Sequence, residues 1–294
     1  MKKFKTVMTA LITPFRDGEV DFSSLETLVR HQIKNGIRGF VVNGTTAESP
    51  TLTVHESELI FKAIRAMVGK DFPLIMGTGS NSTAHTIEAS KRAEALGADG
   101  VLVVVPYYNK PPQRGLVQHF KAVANAVKIP VVLYNVPGRT ITTMTSETVQ
   151  ELSRVQNIVG IKEASGDIAF AKDIISKVGP EFIMLSGDDG TYVEFLNTGG
   201  HGVISVTSHI FPKEMIEWTK LMANGKTQEA RDGIGRHAKL INHLFVEANP
   251  IPVKMALYQM GIIKSPELRL PMVTMAEDLA AKMKQEMIAC GVLS

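Results

Sequence analysis

Eight short, uninterrupted apolar runs recur along the first 225 or so residues, with longer amphipathic stretches between them, and this alternation constrains the fold more than any other feature. The runs cover 7–13, 38–43, 73–78, 100–105, 130–135, 157–162, 182–186 and 202–206. Each is too short for a buried helix and rich in Val, Ile and Leu, so each reads as a strand. They are continuous rather than alternating, which means that both faces are covered. The stretches 22–35, 53–68, 83–96, 114–127, 145–155 and 167–178 have helical spacing, and several open on Ser, Thr or Asp suited to an N-cap. Strands covered on both faces and separated by helices form a parallel sheet, and eight such units indicate an α/β fold of the (β/α)8 barrel type. A doubly wound sheet has the same local pattern. After Pro212 the pattern turns wholly helical, over 213–223, 226–247, 250–260 and 276–290, with a break at Asn249-Pro250-Ile251-Pro252. The expected organisation is a catalytic barrel over 1–225 and a C-terminal helical region over 226–294.

Charge and cysteine content narrow the function. A net charge of +3 with no concentration of Lys or Arg gives no footprint for nucleic acid or an anionic membrane, so a small molecule is the expected partner. Cys290 is the only cysteine, which rules out an intrachain disulfide and suits a reducing cytoplasm. The start, Met1-Lys2-Lys3-Phe4-Lys5, imitates the basic head of a signal peptide. However, charged Arg16-Asp17 follows Thr13-Pro14 without a cleavage pattern, so residues 7–13 read as a first strand.

The chemistry is expected where parallel barrel strands end. Lys162 closes the run Ile158-Val159-Gly160-Ile161, which carries an amine to the tip of a buried strand. A desolvated lysine attacks carbonyls and forms a Schiff base, whereas a strand-end lysine that reaches solvent or pairs with Glu163 does neither. Other strand ends supply Gly44-Thr45-Thr46, Pro106-Tyr107-Tyr108-Asn109, Tyr134 through Thr140, Ser186-Gly187-Asp188-Asp189 and Val203-Ile204-Ser205. Gly44-Thr45-Thr46 suits a small carboxylate and also reads as an ordinary βα turn. Tyr134 suits proton relay or a core position, and Arg139, after a Pro-Gly turn, suits a carboxylate clamp or a solvated loop.

Rival chemistries have less behind them. The eight histidines include no His-x-His pair, which leaves a zinc hydrolase poorly supported. Asp188-Asp189 with Glu48 and Glu163 suggests Mg²⁺, but acidic residues equally suit a helix N-terminus. Gly77-Thr78-Gly79-Ser80 lacks the Gly-Lys-Ser/Thr that completes a phosphate loop.

Taken together, Gly44 to Ser49, Pro106 to Asn109, Tyr134 to Thr140 and Gly160 to Ala164 resemble the dihydrodipicolinate synthase family of Schiff-base pyruvate lyases. The likeness extends through Leu185 to Asp189, Gly199 to Ser205, Asn249 to Lys254 and Leu268 to Met272, nearly the whole chain in order. It implies that Lys162 forms an imine with pyruvate, and that the derived enamine adds to aspartate semialdehyde in lysine and diaminopimelate biosynthesis. Thr45, Tyr134 and Tyr108 would relay protons, with Tyr108 reaching in from a neighbouring subunit of a homotetramer. Arg139 would hold the semialdehyde carboxylate, while Thr46 and the main chain at Gly187 and Ile204 line the pyruvate site. No organic cofactor and no catalytic metal are implied, and the enzyme would be cytoplasmic. Related sialic-acid lyases and sugar-acid aldolases typically lack the Pro-x-Arg-Thr arrangement, so Arg139 separates the synthase from a pyruvate-releasing lyase. The competing class is a sensor that holds a 2-oxo acid without turnover.

One departure bears on regulation. Ser49, Asn81 and Tyr107 match the interface site at which lysine-inhibited members bind lysine, but His85, Val54 and Ser57 replace its acidic residue and imidazoles. Losing the carboxylate that would pair an incoming ammonium predicts weak or absent feedback. Half-inhibition at micromolar lysine in a steady-state assay would refute it.

Overall fold

The computed structural model describes residues 2–293 and contains all eight expected strands. They are β1 (Val7–Ala10), β2 (Phe40–Val42), β3 (Leu74–Gly77), β4 (Gly100–Val104), β5 (Val131–Asn135), β6 (Ile158–Glu163), β7 (Ile183–Ser186) and β8 (Gly202–Ser205). Nearly every residue on them is buried, as continuous apolar strands covered on both faces require. The order β1-β8-β7-β6-β5-β4-β3-β2 closes into a barrel, which settles the choice against an open doubly wound sheet.

The helices are α1 (Phe22–Lys34), α2 (Val54–Val68), α3 (Thr83–Ala95), α4 (Gln113–Ala126), α5 (Ser146–Leu152), α6 (Ile168–Lys177) and α7 (Tyr192–Asn197). Side chains of Asp21, Thr53, Ser82, Thr145 and Asp167 cap α1, α2, α3, α5 and α6, as the Ser, Thr and Asp signals predicted. Beyond the last strand lie α8 (Pro212–Ala223), α9 (Thr227–His243), α10 (Ile251–Gln259) and α11 (Glu277–Ala289). Helix α9 stops at His243, short of the expected residue 247, and β1 ends at Ala10 rather than Thr13. Outside the expected pattern lie helix α7, the single turn Pro137–Thr140, and a hairpin of Phe15–Arg16 with Glu19–Val20. Asp17 and Gly18, both with positive φ, form its turn, and an Asp-Gly pair is a readable signal for that geometry.

Contacts divide the chain into two compact units. One comprises Met1–Thr6, Gly39–Val41 and Pro73–Ile204; the other comprises Val7–Arg38, Val42–Phe72 and Ser205–Ser294. In the first, the pairing of β5 with β6 shifts by one: Val131 faces Ile158, but Val132 faces Gly160. Val159 is the extra residue, and the shift sets Tyr134 opposite Lys162. Only glycine fits at position 160, because a Cβ there would lie 2.3 Å from the Ile183 carbonyl oxygen on β7.

The second unit holds a buried polar stitch around His209. Its Nδ1 lies 2.9 Å from the Val206 carbonyl, and the Ile12 amide donates to Nε2 at 3.3 Å, so the ring is held neutral. Burial lowers its pKa from 6.5 to about 4. The unfolded chain therefore binds more protons between these values, and stability present above pH 6.5 is lost as pH falls towards 4. At 1.36 kcal/mol per unit the loss approaches about 3 kcal/mol. Thermal unfolding should thus show a smaller drop in Tm from pH 6.5 to 4.5 for His209→Gln than for the parent. Equal drops would clear His209 of the effect.

Candidate active site

Lys162 is buried, only 7% exposed, next to last on β6, which runs one residue past its expected end to Glu163; its Nζ lies 4.4 Å from the centroid of the Tyr134 ring on β5. The stem is closed in by the turn after β7. A Cβ on Gly187 would stand 2.7 Å from Lys162 Cε and 2.5 Å from the Ala164 Cβ, so the main chain at 187 lies directly against the lysine side chain. The Gly187 amide donates to the Glu163 carbonyl at 2.7 Å, which locks that approach. The side chain thus has an aromatic face on one side and backbone on another.

The next residue takes the opposite face of the strand. Glu163 is buried, accepts from Asn135 Nδ2 at 2.8 Å and from the Ser165 amide at 2.6 Å, and burial raises its carboxyl pKa. It does not pair with Lys162. Asn135 in turn accepts from the Met144 amide at 3.1 Å and the Thr143 hydroxyl at 3.2 Å. Glu163 and Asn135 thereby anchor both ends of the segment that carries Arg139. That segment is a one-turn helix, Pro137–Thr140, whose Thr140 hydroxyl bonds the Thr142 carbonyl at 2.7 Å. Arg139 is exposed on it. Glu163 thus takes neither the pairing with Lys162 nor the Mg²⁺ role weighed from sequence, and Asn135 had none, although an Asn at a strand end beside an apolar run is a visible anomaly. Ile204 is buried on β8.

Tyr108 behaves differently. Its φ of +72° places a bulky residue in left-handed backbone, and it is 88% exposed. Tyr107 beside it is partly exposed, the Asn109 side chain holds the Asn81 carbonyl at 2.8 Å, and His85 lies exposed on α3.

In the second unit, Thr45 and Thr46 lie on the short 3₁₀ turn Thr45–Ala47 just after β2. Thr46 is buried, and its hydroxyl accepts from Asn249 Nδ2 at 2.8 Å. Ser49 opens the following turn, Ser49–Thr51. Among the described residues no group of three or more His, Cys, Asp or Glu side chains is placed to hold a metal ion. No described helix is long and apolar enough to cross a membrane.

A closed (β/α)8 barrel that sets a buried lysine amine on the face of a tyrosine on the adjacent strand is an arrangement suited to a lysine-dependent barrel lyase. The chain belongs to the dihydrodipicolinate synthetase family, whose sequence model matches residues 3–289. It is 59% identical over 293 residues to the 4-hydroxy-tetrahydrodipicolinate synthase of Bdellovibrio bacteriovorus, with full coverage of both chains. Among solved structures it resembles a monomeric dihydrodipicolinate synthase variant, with a TM-score of 0.97 at 41% identity over 99% of each chain. It also resembles the chloride-inhibited Acinetobacter baumannii enzyme complexed with pyruvate, with a TM-score of 0.95 at 42% identity over 98% of this chain and 99% of that one.

Proposed function

We propose that the protein condenses pyruvate with aspartate 4-semialdehyde to give 4-hydroxy-tetrahydrodipicolinate, in lysine and diaminopimelate biosynthesis. The observation that carries this reading is the buried Lys162 amine, held over Tyr134 and against Gly187 in a chain of this family. Lys162 Nζ attacks C2 of pyruvate, water leaves, and an imine forms. Loss of a methyl proton gives an enamine whose carbon adds to the aldehyde. The amine of the adduct then attacks the imine carbon, closes the ring and releases Lys162. Tyr134 and Thr45 relay protons for these steps, Thr46 and the main chain of Gly187 and Ile204 receive pyruvate, and Arg139 holds the semialdehyde carboxylate. The reaction uses no organic cofactor and no metal, and takes place in the cytoplasm.

Borohydride reduction in the presence of pyruvate, followed by peptide mass analysis, should label Lys162; an unlabelled Lys162 in folded protein sinks the reading. Product analysis with semialdehyde then separates a synthase from a sensor. Arg139→Ala removes a forked, charge-assisted contact worth ~2–3 kcal/mol, and should cut kcat/KM for the semialdehyde about 10²-fold while pyruvate trapping persists. Unchanged semialdehyde kinetics would reject the clamp.

Tyr108 completes the relay from a second subunit of a homotetramer built as a pair of dimers. Its exposure and left-handed backbone support this role, since a phenol left to solvent serves no site in its own chain. Mixing Tyr108→Phe with Lys162→Ala chains should restore activity, because one site in each hybrid pair regains both groups. No recovery after verified subunit exchange would confine the relay to one chain. The weak lysine feedback expected at Ser49, Asn81, His85 and Tyr107 belongs to the same proposal.

A further inference from the structure

The proposed chemistry leaves a second buried lysine unused. The Lys254 side chain, on α10, is 0% exposed, and its three N–H donors meet three partners. Glu48 Oε1 lies at 2.5 Å, the Glu267 carbonyl at 2.8 Å, and the Phe15 ring centroid at 4.2 Å. A buried ion pair is weak evidence for stability, since apolar groups of similar volume often hold a fold as well or better. What the pair grips is therefore more informative than that it exists.

Glu48 is the hinge between the turns Thr45–Ala47 and Ser49–Thr51, and it sits in left-handed backbone with φ 56° and ψ 39°. A residue with a Cβ stays there only when its surroundings hold it. Its second carboxylate oxygen accepts the Arg269 amide at 3.1 Å, and its carbonyl accepts from the Thr51 amide at 3.0 Å. Two residues earlier, Asn249, which leads into α10, donates to the Thr46 hydroxyl. With one lone pair so occupied, the Thr46 O–H is left to donate elsewhere, as a carboxylate ligand needs. On the other side Thr13 Oγ1 donates to the Ala47 carbonyl at 2.9 Å. The approach to α10 thus holds this turn at a hydroxyl and at a carboxylate two residues apart.

We infer that Lys254 is a positioning residue for the carboxylate of the 2-oxo acid substrate: through Glu48 it holds the Gly44–Thr46 turn in the shape that presents the Thr46 hydroxyl. This rests on the reading of Thr46 as part of the pyruvate site. Lys254→Met keeps an unbranched side chain one atom shorter and removes the charged end. It should raise the pyruvate KM tenfold or more and leave the semialdehyde KM within twofold, with Lys162 still fully trapped by borohydride at saturating pyruvate. On a Thr46→Val background the same substitution should add no more than twofold, because the hydroxyl it positions is already gone. A general loss of structure would move both KM values and lower the trapped fraction. A folded Lys254→Met enzyme with an unchanged pyruvate KM would overturn the inference, as would a full tenfold penalty on the Thr46→Val background. Should Lys254→Met not fold, the paired Glu48→Met/Lys254→Met chain, which leaves no orphan charge, is judged by the same criteria. A parent enzyme that traps no pyruvate at Lys162 overturns both this inference and the functional reading, whereas a normal parent with an unaffected variant overturns this inference alone.

Discussion

Lys162→Ala should abolish turnover, with kcat reduced on the order of 10⁴-fold or more, because the proposed mechanism assigns to Lys162 the covalent intermediate that divides the reaction into easier steps. Lys254 is no substitute: its amine is wholly buried and committed to Glu48. Borohydride with pyruvate should therefore leave the Lys162→Ala chain unlabelled at every lysine. The fold should survive, since Lys162 makes no ion pair with its neighbour Glu163, whose carboxylate is satisfied by Asn135 and Ser165. Turnover within tenfold of the parent in a folded Lys162→Ala protein would remove the central residue from the mechanism.

Gly187→Ala carries the second largest expected effect and tests the geometry rather than the nucleophile. The added methyl would stand 2.5 Å from the Ala164 Cβ and 2.7 Å from Lys162 Cε, both inside contact distance. The Ala164 Cβ is fixed to backbone, so the turn at 187 must itself shift, and the lysine stem, 2.7 Å away at Cε, is displaced with it. A displacement of about 1 Å at a reacting group costs on the order of 10²-fold in rate. The rate of pyruvate trapping at Lys162 should fall by that factor, with a smaller change in Tm than in rate. A trapping rate equal to the parent's would mean that the turn yields and the lysine does not depend on it.

Legibility followed the range of the interactions involved. The eight strands could be read because burial on both faces is written as unbroken apolar runs, and most helix starts because their capping residues act within three positions. The hairpin at Asp17-Gly18 has an equally local turn signal, but its strands of two residues each are too short to show alternation. Helix α7, six residues long, is too short to show helical periodicity. At the site, Lys162, Tyr134 and Gly187 were legible as strand-end residues and stand together in the first unit. The Glu163–Asn135 bond and the Lys254–Glu48 pair were not, because they join positions 28 and 206 residues apart. A lysine inside the apolar segment Ile251 to Leu257 was the only outward sign of the latter.

The amino-acid sequence by itself determined that parallel strands and helices alternate, that an amine lies near the end of the sixth strand, and which hydroxyls, phenols and guanidinium lie near the ends of the others. Each of those is a statement about a residue and its near neighbours along the chain. Only the tertiary structure decided that Tyr134 faces that amine. The extra residue Val159 shifts the pairing of β5 with β6 by one position, and without it Ile161 would stand opposite Tyr134. A side-chain period of two makes a single-residue shift enough to decide which face a side chain takes, and that shift depends on how two strands pair, not on the residues next along either one.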